Sequence, residues 1–156
     1  MMGRKILSGD FNLTRISFPI RCMAPQSMLM TMCGFATTMP VYFNRAAKTS
    51  DPLERLKLTI AGNFSWFVYN SIFQKPLNPI LGETYQCVGA DGTKIYLEQT
   101  AHHPPRSHFI ADGPDGNFSM NGYLELAIYA GLQTSSTECA GFKEITFKDG
   151  GKIRWN

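Results

Sequence analysis

The chain has no CxxC pair among its four cysteines and no GxSxG turn anywhere. The first absence removes the usual zinc and thioredoxin-type signals, and the second removes the nucleophile elbow of a large hydrolase class. Charged residues are scarce at 17%, with no dense Lys/Arg cluster, so nucleic acid is not a favoured partner. There is no internal repeat or low-complexity tract, and a hydrophobic content of 44% argues against disorder. No cleavable secretory signal opens the chain: Arg4 and Lys5 are followed only by Ile6 and Leu7 before polar residues intervene. Cys22, Cys33, Cys87 and Cys139 are therefore expected as reduced thiols of a cytoplasmic protein. The longest uncharged run, Cys22 to Asn44, is interrupted by Pro25 and Pro40 and carries Gln26, Ser27, Thr31, Thr37 and Thr38. Its apolar core falls short of the ~20 residues a bilayer crossing needs, which favours a buried or interfacial helix.

What is present is enough for one domain with a sizeable core: 156 residues and a net charge of +3. The charge is uneven, since residues 1–57 hold eight Lys/Arg against three Asp/Glu and residues 58–156 hold seven against nine. Residues 10–21 read as an extended entry segment that ends at prolines, followed by a short helix after Pro25. Met28, Met30, Met32 and Met39 suit either core packing or an irregular apolar partner. The next helix is better marked. Asp51 is its cap, Pro52 fits its first turn, and Glu54 completes a capping box. Leu53, Leu56, Ile60, Phe64 and Phe67 follow at helical spacing as a core-facing stripe, and Gly62 weakens the helix or permits close approach. Continuation through Trp66, Val68 and Ile72 to Lys75 is expected.

From Lys75 the pattern changes. KPLNPILGE places Pro76, Pro79 and Gly82 close together, as a rigid loop. Beyond it, alternation predicts strands over Thr84 to Val88, Lys94 to Gln99, Ser107 to Asp112, Asn117 to Ala130, Phe142 to Lys148 and Lys152 to Trp155. Turn residues at Gly89 to Thr93, Gly113 to Gly116 and Asp149 to Gly151 separate several of them. Helices first and then an antiparallel meander of at least six strands is an α+β order, with a sheet able to curl around an interior. The final strand, ending at Asn156, is expected as an edge of a truncated chain.

Composition does not explain Glu98 to Pro105, EQTAHHPP. Two prolines stiffen the segment and hold His102 and His103 out of any helix. A histidine pair can bind a metal, move a proton or donate hydrogen bonds to an anion. Metal is disfavoured, because adjacent residues of an extended segment point to opposite faces and no Cys or His spacing supports it. A Cys/His or Ser/His catalytic site formed only in three dimensions stays open. Anion binding has its ingredients in His102, His103, Lys75, Asn78 and the backbone amides of the rigid loop.

EQTAHHPP resembles the EQVSHHPP fingerprint of the oxysterol-binding protein family, and KPLNPILGE resembles that family's KPLNPxLGE hallmark. GDFNLTRISFPI is similar to the start of the family's lipid-binding domain. The resemblance implies a partial lipid-binding domain over residues 1–156: an entry segment and small helical subdomain at 10–74, then headgroup motifs and barrel strands at 75–156. It implies a lipid carrier, not an enzyme, with no cofactor and no metal. Its ligands would be a sterol or a glycerophospholipid exchanged for phosphatidylinositol 4-phosphate, through transient contact with membranes at organelle contact sites. His102 and His103 would hold the 4-phosphate, and Lys75, Asn78 and the Leu77 backbone would hold the inositol phosphate and glycerol. Glu83 and Glu98 would be structural, since carboxylates repel a polyphosphate. The family's barrel continues well beyond this length and its C-terminal segment adds further cationic contacts. The implied barrel is therefore incomplete here, with only Met1 to Gly9 in the place of a lid. The rival reading is a non-transferring phosphoinositide-binding or scaffolding module.

Overall fold

The computed structural model describes residues 19–34, 38–65, 67, 74–130 and 135–156. The expected entry segment at 10–18 and the helical continuation at 66 and 68–73 lie outside them. Pro19 precedes a short 3-10 turn at Ile20–Cys22, and Met23–Ser27 forms strand β1. Ser27 then caps helix α1 (Met28–Cys33): its Oγ accepts from the Met30 amide at 3.4 Å, and the Thr31 hydroxyl donates back to the Ser27 carbonyl at 3.3 Å. Helix α2 (Met39–Lys48) has Pro40 in its first turn and Arg45 and Lys48 in its last, where cations suit the helix dipole. The uncharged run is thus cut into a strand and short helices, and no helix of the described residues is long and apolar enough to cross a membrane. Of the four methionines, Met32 is buried and Met28 and Met39 pack on the core, so packing accounts for three, and Met30 is exposed.

Helix α3 (Pro52–Ser65) begins as its sequence indicates, with the Leu53 amide donating to Asp51 Oδ1 at 2.9 Å. The capping box is only half made. The Asp51 amide donates to Thr49 Oγ1 at 3.2 Å, and Glu54 faces Lys57 at 4.0 Å instead. The larger correction concerns the apolar stripe. Leu53, Leu56, Ile60, Phe64 and Phe67 are all exposed, and the buried residues are Leu58, Thr59 and Gly62. The small residues win the inner face because α2 approaches so closely there: a Cβ on Gly62 would lie 2.6 Å from the Phe43 ring. Phe43 in turn meets Phe118 edge-on at 5.6 Å, joining the helices to the sheet.

The sheet is a meander. Strands β3 (Thr84–Val88), β4 (Lys94–His102), β5 (Pro105–Asp112), β6 (Phe118–Ala130), β7 (Ser135–Phe147) and β8 (Lys152–Trp155) pair antiparallel in chain order. Among the described residues β3 and β8 are its two edges, and the sheet is open. On β4 alternate residues are buried, and Ile95 and Leu97 join Phe43, Phe118, Ile145 and Phe147 in one core beneath the helices. Arg55 of α3 locks the far end: its guanidinium donates to the Ala46 and Thr49 carbonyls, pairs with Asp149 at 2.6 Å and lies over the Phe147 ring.

Two features were absent from the sequence reading. Strand β2 (Lys75–Leu77) pairs in parallel with β1, so the start of KPLNPILGE is part of a small second sheet. Cys33 of α1 is disulfide-bonded to Cys87 of β3, which corrects the expectation of four reduced thiols; Cys22 and Cys139 are free and exposed. The cause is tertiary, since packing α1 on the first strand of the sheet joins residues 54 apart in sequence.

Candidate anion-binding site

The site is built outward from Gln99. As the next inward position after Ile95 and Leu97 it points into the protein and is 1% exposed. Its amide is satisfied there: Nε2 donates to the Ala101 carbonyl at 2.7 Å, and Oε1 accepts from Ser107 Oγ at 2.5 Å. The β4–β5 register shifts between Gln99 and Ala101, which frees Thr100 to meet His108 Nδ1 through its hydroxyl at 2.6 Å. Beyond the shift the pairing ends at His102 and Pro105, and His103 and Pro104 make the turn, joined by a cis peptide bond.

Both imidazoles are exposed at that hairpin tip, with ring centroids 4.6 Å apart. This corrects the expectation of opposite faces. Only His102 is in the strand, and the chain reverses at His103, so the alternation rule does not apply to the pair. Among the described residues no three His, Cys, Asp or Glu side chains converge.

The second group of residues stands on β2 and the loop after it. Lys75 Nζ donates to Asn78 Oδ1 at 2.7 Å and to the Pro76 carbonyl at 3.2 Å. Burial pushes the Lys75 ammonium below the usual lysine range by removing water from it. Leu77 ends β2 opposite Ser27, and Asn78 is exposed. The loop then closes on itself, with the Ile80 amide donating to Glu83 Oε2 at 3.0 Å and the Glu83 amide to the Ile80 carbonyl at 3.0 Å. Glu83 is thereby a structural acceptor within the loop.

The two motifs that carry these groups adjoin through the backbone. The Gly82 amide donates to the Gln99 carbonyl, and the Gln99 amide to the Glu83 carbonyl, each at 2.9 Å. Gly82 can make that approach because its φ of 78° costs it nothing. The end of the Lys75–Glu83 motif is thus fixed against the start of the Glu98–Pro105 motif, with Lys75 and Asn78 on β2 and its loop and His102 and His103 at the β4–β5 hairpin tip. A half-buried lysine, an exposed amide and two exposed imidazoles are chemistry for receiving an anion.

Sequence reasoning missed three nearby residues. Gln99 and Ser107 form the buried polar link, and Gln99 had a signal in its inward place on β4. Arg106, directly after the motif, is already engaged: Nε and Nη2 donate to Glu125 Oε2 at 2.9 and 2.6 Å, and the guanidinium lies over Tyr123. A recess of about 560 Å³ lies at the opposite end of β4, beside Lys94, Asp112, Asp115 and Lys148. It mixes carboxylates with lysines and contains none of the motif residues, so the motifs are the better guide to the site.

The family model for oxysterol-binding protein matches residues 2–156. Oxysterol-binding protein 9 of Dictyostelium discoideum is 34% identical over 123 residues, which is 79% of this chain and 28% of that protein. Human oxysterol-binding protein-related protein 6 is 35% identical over 99 residues, or 62% of this chain and 10% of that one. The fold matches the Osh3 ORD in complex with PI(4)P from Saccharomyces cerevisiae with a TM-score of 0.83 at 20% identity, covering 99% of this chain and 42% of that one. It matches the Osh1 ORD domain in complex with ergosterol with a TM-score of 0.81 at 22% identity, covering 96% and 37%.

Proposed function

Because the chain belongs to the oxysterol-binding protein family, we propose that it supplies the headgroup-binding part of a lipid-transfer domain, which in complete form exchanges a sterol or glycerophospholipid for phosphatidylinositol 4-phosphate. His102 and His103 take the 4-phosphate, and Lys75, Asn78 and the Leu77 backbone take the inositol phosphate and glycerol. The single observation that supports this reading is the double hydrogen bond at Gln99, which fixes the end of the Lys75–Glu83 motif against the start of the Glu98–Pro105 motif. A half-buried Lys75 deprived of water gains from an anion that restores its lost solvation. The Osh3 and Osh1 structures, named for complexes with PI(4)P and ergosterol, support the ligand classes. The protein then works from the cytoplasm, peripherally, at organelle membranes.

The alternative reading is a phosphoinositide-binding module that tethers without transferring. Vesicles carrying sterol and phosphatidylinositol 4-phosphate separate the two: lipid extracted into solution supports the carrier, and co-sedimentation without extraction supports the tether. Charge-assisted hydrogen bonds contribute about 1.5–3 kcal/mol each, so His102→Ala/His103→Ala should weaken phosphoinositide binding at least about tenfold. Unchanged binding would remove the headgroup assignment.

A further inference from the structure

The loop from Asn78 to Glu83 exposes aliphatic side chains beside a polar site. Ile80 is 70% exposed, Leu81 65%, and Leu77 at its root 40%. The loop is braced: Pro79 is buried beneath it, and the amides of Ile80, Gly82 and Glu83 all donate within the protein. Backbone donors that keep their partners can leave water at little cost, which is the condition for entering the interfacial layer of a bilayer.

The neighbouring charges favour the same occupant. Lys75 stands at the root of the loop, and the exposed imidazoles of His102 and His103 stand on the hairpin tied to it at Gln99. The loop's own carboxylate, Glu83, is occupied as the acceptor for Ile80. One cation and several neutral donors beside aliphatics suit the interfacial layer of a bilayer that displays phosphoinositide headgroups. A stable protein interface needs about 800 Å² per partner, more than three side chains offer, whereas each inserted aliphatic adds directly to membrane partitioning.

We propose that Ile80 and Leu81, with Leu77, insert into the lipid bilayer as the adjoining donors meet the phosphoinositide headgroup. The proposal rests on the headgroup reading and adds to it a membrane anchor distinct from the headgroup contacts.

The test compares vesicles of phosphatidylcholine, phosphatidylserine and phosphatidylinositol 4-phosphate with water-soluble inositol 1,4-bisphosphate. Ile80→Ser/Leu81→Ser should lower vesicle affinity about tenfold or more, from the loss of two buried aliphatics, and leave inositol bisphosphate binding unchanged. Unchanged vesicle binding overturns insertion, and so does a parallel loss of both, which would make the loop a brace for the headgroup site. Leu53→Ser/Ile60→Ser on α3 is the rival surface, and a loss there with none from the loop pair also overturns the proposal. Leu81→Trp, read above the background of the native tryptophans, reports insertion directly through quenching by brominated lipids. Quenching on vesicles with phosphatidylserine alone, with no binding of inositol bisphosphate, would support insertion while the headgroup reading failed.

Discussion

Gln99→Leu should destabilise the protein by about 2 kcal/mol although it keeps the volume of the side chain, because it orphans the polar groups that Gln99 satisfies. The Ser107 hydroxyl, in a residue 8% exposed, would lose its acceptor, and the half-exposed Ala101 carbonyl would lose a donor that water replaces in part. Ser107→Ala leaves Gln99 Oε1 without its donor at a position 1% exposed, again a loss of about 2 kcal/mol. The double variant removes both ends of the Ser107–Gln99 bond and retains only the Ala101 carbonyl as a loose end, at about 1 kcal/mol. The two changes are therefore coupled by about 3 kcal/mol, near the upper end for residues in direct contact. Urea denaturation of the four proteins measures it, since 2 kcal/mol moves the midpoint by roughly 1 M at an ordinary m value. Singles that add to the double within about 0.5 kcal/mol would refute the link. Gln99→Leu should also weaken binding to phosphatidylinositol 4-phosphate vesicles, because the Gln99 side-chain amide braces the Ala101 carbonyl directly before His102.

The Arg55 hydrogen bond, followed by that of the Gly151 amide, holds the Asp149 carboxyl below the usual carboxylate range. A depressed folded value contributes stability above the unfolded pKa of about 4 and loses it as pH falls through the folded one. The difference in urea midpoint between the native protein and Asp149→Asn should be constant above about pH 5 and shrink below about pH 4. On α3, Leu58→Ala should cost about 2–5 kcal/mol and Leu53→Ala within about 0.5 kcal/mol; the reverse order would show the helix turned the other way.

The strands were legible where alternation and turn chemistry agree. Thr84–Val88 and Lys152–Trp155 fall where their patterns predict, next to turns that use Gly92 and Gly150 at positive φ. β7 begins at Ser135 and not at Phe142, because Ser135 to Glu138 are polar and carry no alternation; long pairing with β6 makes them a strand. The stripe on α3 was found correctly as a stripe and wrongly as the inner face. Periodicity reports that apolar side chains share a side of the helix, and only the neighbour decides which side is covered. Here the Phe43 ring requires Gly62, and the inner face follows from that contact. The β1–β2 pairing and the Cys33–Cys87 bond join distant segments that no local pattern connects.

The candidate site was legible as two motifs but not as neighbours, and strand register shows how the motifs adjoin. β3 pairs with β4 so that Thr84 lies opposite Glu98, and the hydrogen bonds of Gly82 and Glu83 to Gln99 extend the ladder one step past that pair. The end of one motif is thereby fixed against the start of the other. Its far end, Lys75–Leu77, belongs to the sheet with β1, whose Ser27 caps the helix that carries Cys33. Movement of the small sheet relative to the meander would shift Lys75 relative to the histidine hairpin without unfolding either. The disulfide from α1 to β3 opposes that movement, since it closes a covalent link across the same junction. The prolines, glycine and glutamate of KPLNPILGE then have a common physical reason: they fix the backbone between β2 and the meander, the rigidity that the proposed headgroup site requires.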